Sequence, residues 1–136
     1  GSYLSALMAR SPIASETMRA WMKSPDENFR ELGYGILSVR LKHDPSSVSD
    51  VECERALAAI EKKIHQSPNW ARYAMNVAMI SIGVYKPTLR ETAIQAAKRI
   101  GTVTVDHGAT GCKTPDAAAY IEKASKRKRR PVRDGR

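Results

Sequence analysis

The segment from Pro68 to Val84 is apolar on nearly every side, and no other stretch of the chain limits the possible folds as much. At helical spacing, Ala71, Ala74, Met75, Ala78, Met79 and Ile82 make one stripe, and Trp70, Tyr73, Val77, Ile80 and Val84 make a second. A helix with one apolar stripe lies on a surface, whereas a helix apolar all round is sandwiched between neighbours. This helix is therefore expected at the centre of a stack.

The helix punctuation around it is clear. Ser24-Pro25-Asp26-Glu27 offers an N-cap Ser, a Pro at the first helical position and a Glu able to close a capping box. Ser49-Asp50-Val51-Glu52 repeats the Ser-x-x-Glu spacing, and Ser67-Pro68, Thr114-Pro115-Asp116 and Ser11-Pro12 give three more Ser/Thr-Pro starts. Each supplies an oxygen where the free amides of a first turn need one. Gly101 stands at a helix C-terminus, where a glycine is expected. Apolar periodicity between these marks predicts helices at about 3–9, 12–23, 25–42, 50–65, 68–84, 87–100 and 115–127. Val103 and Val105 alternate like a strand, but one such scrap builds no sheet.

A repeat is visible across these helices. Ser24 and Ser67 lie 43 positions apart, Arg30 and Arg72 lie 42 apart, and Leu32, Ile36 and Leu37 then correspond to Ala74, Ala78 and Met79. A period of roughly 40–47 with paired helices belongs to HEAT and armadillo solenoids. The expected fold is all-α: a HEAT-like solenoid of about seven helices over residues 1–125, followed by a disordered basic tail at 126–136. An irregular helical bundle is the alternative.

Composition matters mainly for charge. The net charge of +9 is unevenly placed: from Lys123 to Arg136 eight basic residues face one acid, Asp134, which leaves about +2 for the body. No stretch approaches the ~20 uninterrupted apolar residues that span a bilayer, and the apolar residues near the start are spaced unlike a signal peptide. Gly1-Ser2 resembles a cleavage scar, so the natural protein is expected to extend further. Cys53 and Cys112 have no Cys-x-x-Cys spacing and are expected as reduced thiols in a cytoplasmic protein, nucleoid-associated in a bacterium or nuclear in a eukaryote.

Three stretches, Ser67 to Asn76, Ile82-Gly83-Val84 and Ala97 to Gly101, resemble the C-terminal part of the DNA alkylation repair family. The run Val105-Asp106-His107-Gly108-Ala109-Thr110-Gly111-Cys112-Lys113-Thr114-Pro115-Asp116-Ala117 resembles it more specifically, and Ala20 to Glu27 fits the preceding repeat more loosely. The resemblance reaches to about Lys126. It implies a curved HEAT-like solenoid whose concave basic face holds double-stranded DNA. It also implies kinship with glycosylases that excise alkylated purines without a metal, using a catalytic Asp aided by aromatic and Arg residues. That Asp belongs to an aromatic-rich repeat upstream of the matched region. Asp26 at a helix start and Asp106 in a loop do not share its context, so no catalytic residue is assigned.

Within this frame Arg30, Arg72 and Asn76 fall on one line of the concave helices, where they are expected to meet phosphates. The plainer reading has the two arginines tying repeats together through Glu27 or Glu31. Trp70 and Tyr73 offer aromatic contacts to a sugar or exposed base, against the commoner role of aromatics in a core; Trp21 and Tyr34 read as structural. Asp106, His107 and Cys112 form a loop of uncertain role. Three ligands fall short of a closed zinc site, and the bland reading has Asp106 or Thr110 bonding amides, Gly108 and Gly111 at positive φ, and Cys112 packed inward. Lys113, beside a helix start, and the tail residues Lys126, Arg127, Lys128, Arg129 and Arg130 are expected on the DNA backbone. No metal or cofactor is expected. The leading function is therefore DNA binding. The alternatives are a protein-interaction scaffold, which other proteins or missing N-terminal repeats would occupy, and a glycosylase whose catalytic Asp lies outside this chain.

Overall fold

The computed structural model describes residues 14–129, which form six α-helices and no strand. They are α1 (Ala14–Met22), α2 (Glu27–His43), α3 (Asp50–Lys63), α4 (Asn69–Tyr85), α5 (Arg90–Ile100) and α6 (Ala117–Arg129). Short 3-10 turns at Pro45–Ser47, Ile64–Gln66 and Pro87–Leu89 join three of the pairs. The helix expected at 3–9 and the start at Ser11-Pro12 lie outside the described residues.

The repeat read from the sequence is a structural one. Helices α2 and α4 are each 17 residues long, and both their first and last residues are offset by 42, from 27 to 69 and from 43 to 85. The 3-10 turns that follow, Pro45–Ser47 and Pro87–Leu89, keep the same offset. The Arg30–Arg72 spacing thus carries the true register, and the Ser24–Ser67 spacing is one residue off.

Helix α4 is central: it packs along α2 most extensively and also against α3, α5 and α6. Its first apolar stripe is buried throughout, and Ile80 and Val84 of the second stripe are buried with it. Small residues bring the neighbours close. Gly33 of α2 receives the backbone of Trp21 and Met22 in α1, and Gly83 of α4 receives the side chain of Ile121 in α6. At the other layer, Glu61 of α3 takes a two-pronged hydrogen bond from Arg99 of α5 (2.6 and 3.0 Å), which holds its carboxyl below the usual range.

Two caps differ from the sequence expectation. Asp26, not Ser24, caps α2, accepting from the amides of Asn28 and Phe29, while the Ser24 hydroxyl accepts from the Asp26 amide. Asp116, not Thr114, accepts from the Ala119 amide at the start of α6. Asp26 and Asp116 stand immediately before the first residues of their helices, where the free amides are in reach, and a carboxylate there also meets the positive end of the helix. The start of α4 is a third departure. Ser67 turns back to donate to the Lys63 carbonyl, and Glu27 of the preceding repeat accepts from the Trp70 amide at 2.8 Å. Ser49 caps α3 as expected, through the Glu52 amide, and Gly101 ends α5 at φ +75°.

Val103 and Val105 lie in the connection between α5 and α6 and pair with no strand. Helix α6 runs to Arg129, beyond the point where the basic tail was expected to leave the fold. Lys and Arg are good helix formers and are favoured at the negative end of a helix, so the basic run prolongs it.

Candidate nucleic-acid interface

Three polar side chains on α4 fasten the connection 101–116 to the helix. Asn69, Arg72 and Asn76, at i, i+3 and i+7, share one face. Asn69 pairs with both backbone polar groups of Asp106, donating to its carbonyl and accepting from its amide, each at 2.7 Å. Arg72 donates to the carbonyls of Thr104 (2.7 Å) and Ser67 (2.9 Å), and Asn76 donates to that of Pro115 at 3.0 Å. The line expected from the sequence is real, but its polar groups hold the chain's own backbone. Asn76 is a correction: at 1% exposure it has no access to a DNA backbone. Arg30 makes the equivalent tie one repeat earlier, donating to the Ser24 carbonyl and the Ser67 hydroxyl rather than to Glu27 or Glu31.

Fastened in this way, the connection brings His107 to two aromatics of α4. The His107 ring stands edge-on to Trp70 (centroids 5.9 Å apart) and to Tyr73 (5.3 Å), and Trp70 and Tyr73 meet edge-on at 6.2 Å. A hydrogen bond of 2.8 Å between the His107 Nε2 and the Thr114 hydroxyl fixes the imidazole. Trp70 is 41% exposed and Tyr73 is half-buried, so the core reading of these two fails. The product is a small, braced aromatic platform in which Trp70 is open to solvent and Tyr73 and His107 are half-buried.

The rest of the loop is a folded turn. The Asp106 carboxylate accepts from the Gly108 amide at 2.8 Å, and the Thr110 hydroxyl donates to the His107 carbonyl. Gly108 has positive φ, but Gly111 does not, contrary to expectation. Among the described residues no three His, Cys, Asp or Glu side chains converge as metal ligands.

Cys112 is exposed instead of packed inward, while Cys53 is buried in α3, and both are free. Burial, reinforced by Asp50, Glu52 and Glu54, pushes the Cys53 thiol up to about 11. A thiol reagent at neutral pH is therefore expected to label one cysteine of the native protein promptly. The second should react only after denaturation, because the thiolate is the nucleophile. Prompt reaction of both would contradict this packing.

A feature that the sequence reading missed lies between α1 and α3. A cleft of about 660 Å³ is lined by five cations, Arg19, Lys23, Arg30, Arg55 and Lys63, against one acid, Glu52. Its floor includes Tyr34 and Met75. The Arg19 guanidinium pairs with Glu52 at 3.2 Å, but no ion pair engages Lys23, Arg55 or Lys63 among the described residues. The i, i+4 spacing of Arg19 and Lys23, and the two-turn spacing of Arg55 and Lys63, was the available signal. The near-balanced charge of the body hid it. Further cations are exposed at Lys113, Lys126 and Arg127.

These features define an all-α stack of helix pairs with an aromatic platform and a basic cleft. The chain belongs to the DNA alkylation repair enzyme family, whose model matches residues 2–127. It is 35% identical over 124 residues to the Listeria innocua protein Lin0241 and 34% identical to Lmo0209 of Listeria monocytogenes. Each match covers 91% of this chain but 53% of the relative, so the chain spans about half the length of the curated relatives it matches. A solved structure described as a new family of proteins related to the HEAT-like repeat DNA glycosylases with affinity for branched DNA structures superposes at a TM-score of 0.81. It is 24% identical, and the match covers 93% of this chain and 54% of that one. The fold is thus the HEAT-like one. No helix among the described residues is long and apolar enough to cross a membrane.

Proposed function

We propose that this chain is a DNA-binding part of a DNA alkylation repair type protein, working at the nucleoid of a bacterium or in a nucleus. The observation that carries the reading is exposed Trp70, braced edge-on by half-buried Tyr73 and His107. A solvent-exposed aromatic held rigid by its neighbours suits stacking on a base or sugar that has left the duplex stack. Lys113, Lys126 and Arg127, followed by Lys128, Arg129 and Arg130, supply contacts to the DNA backbone. Arg72 and Asn69 act indirectly, holding the loop that carries His107, and Arg30 does the same for the helix starts around Ser67.

The affinity of the solved neighbour for branched DNA supports a branched substrate over an intact duplex. Excision of an alkylated base would need an acid from the rest of a longer protein. Near the platform, Asp106 bonds the Gly108 amide and Glu27 caps α4.

The test is binding of duplex and four-way-junction DNA across a salt series, with Trp70→Ala beside the native chain. The variant is expected to lose about tenfold in junction affinity, in line with the ~1–3 kcal/mol of base–aromatic stacking. Its salt dependence should be unchanged, because no charge is removed. Equal junction affinity of the two proteins would remove the platform from the interface. No DNA binding by the native chain at low salt would move the protein-scaffold reading ahead.

A further inference from the structure

The cleft between α1 and α3 is a site apart from the aromatic platform: Trp70, Tyr73 and His107 do not line it, and Met75, in its floor, lies on the opposite face of α4 from Tyr73. Along α3 its cations run from Arg55 to Lys63, eight residues, or about 12 Å at the rise of an α-helix. Lys23 faces them from the end of α1. Gln66 and Ser67, just before α4, also line the cleft.

We infer that this cleft is a groove for a single strand of nucleic acid, distinct from the Trp70 platform. The inference rests on the DNA-binding reading above and adds to it a place for an unpaired strand.

Three properties select that occupant. The charge is elongated and mostly unpaired, as successive phosphates require and a lone phosphate does not. The floor is apolar at Tyr34 and Met75, which suits unstacked bases and sugars. The volume, about 660 Å³, sits in the range of roughly 300–1,000 Å³ that encloses one drug-sized ligand. A short stretch of one strand fits that space, and a duplex does not.

Arg30 braces the groove: its guanidinium ties Ser24 to Ser67, both of which line it.

The experiment compares the native chain with a Lys23→Glu, Arg55→Glu, Lys63→Glu triple variant, all three side chains being exposed and free of ion pairs among the described residues. Affinity is measured for a blunt duplex and for the same duplex carrying a single-stranded flap. Circular dichroism establishes that the variant is folded. The native chain is expected to prefer the flap substrate by at least about tenfold, and the variant to lose that preference while its duplex affinity stays within about threefold. The log–log salt slope for the flap should fall by about 2, from three single-strand contacts at ~0.7 each.

Retention of the flap preference by the variant would overturn the inference. So would an equal loss on both substrates, which would mean unspecific attraction, or displacement of the flap by polyglutamate as readily as by a single strand. Failure of the native chain to bind either DNA would instead strike the underlying reading. Normal duplex binding with an indifferent variant would strike the groove alone.

Discussion

Gly33→Ala is expected to cost about 3 kcal/mol, a fall in Tm on the order of 10 °C for a domain of this size. A Cβ at this position would stand 2.5 Å from the Met22 nitrogen and 2.8 Å from the Trp21 carbonyl carbon. Both are backbone atoms, so α1 must move away from α2 as a body, and the ~1 kcal/mol that alanine gains in helix propensity does not offset this. For Gly83→Ala the three nearest atoms all belong to the Ile121 side chain rather than to backbone, so it should fall between Gly33→Ala and Gly111→Ala, the last of which meets nothing within 4 Å and stays within about 0.5 kcal/mol of the native chain. Urea melts of the three variants give the ranking. Equal stability of Gly33→Ala and Gly111→Ala would show that α1 does not sit so close. Because α1 walls the basic cleft, Gly33→Ala should also widen it.

The second large effect is loss of stability at high pH. Burial raises Tyr34 from 10.0 to about 12 against a smaller opposing pull from Arg30, and burial raises Cys53 from 9.0 to about 11. Each group holds its proton more tightly in the folded protein than in the unfolded one. Each contribution is therefore complete below the unfolded pKa, near 9 for Cys53 and 10 for Tyr34, and is lost as pH climbs through the folded value. With one pKa unit worth about 1.4 kcal/mol, the two together remove on the order of 4 kcal/mol between pH 9 and pH 12. Denaturant midpoints at pH 8, 10 and 11.5 would trace the decline. Tyr34→Phe cannot ionise there and should keep about half of what the native chain loses. A midpoint that fell equally in the native chain and in Tyr34→Phe would mean that Tyr34 ionises freely.

Much of the fold was legible because its signals are local. The Arg30–Arg72 offset, the Ser49 cap, Gly101 and the double stripe of α4 all depend on spacing along the chain. Spacing is what a helix converts into faces. The caps at Asp26 and Asp116 were each misread by two residues because a Ser/Thr-Pro pair and the Asp after it carry overlapping signals. The choice between them rests on which oxygen meets the amides.

The candidate site was less legible. Arg72 and Asn76 were correctly placed on one line, yet nothing in their spacing says that the connection 101–116 folds back to consume their hydrogen bonds. Trp70 and Tyr73 share the periodicity of core residues. Yet Trp70 lies open while Ile80 and Val84 of the same stripe are buried, and how far a neighbour reaches along a helix leaves no mark at the position itself. The cleft cations were equally hidden, since Arg19 and Lys23 are separated from Arg55 and Lys63 by a whole helix. By itself, then, the sequence determined the helices, their repeat and the central place of α4, because those follow from contacts within a few turns. Which polar groups are used up, which aromatics face water and which cations gather was decided only by the packing of the helices, because each depends on groups about 30 to 40 residues apart coming within a few ångströms.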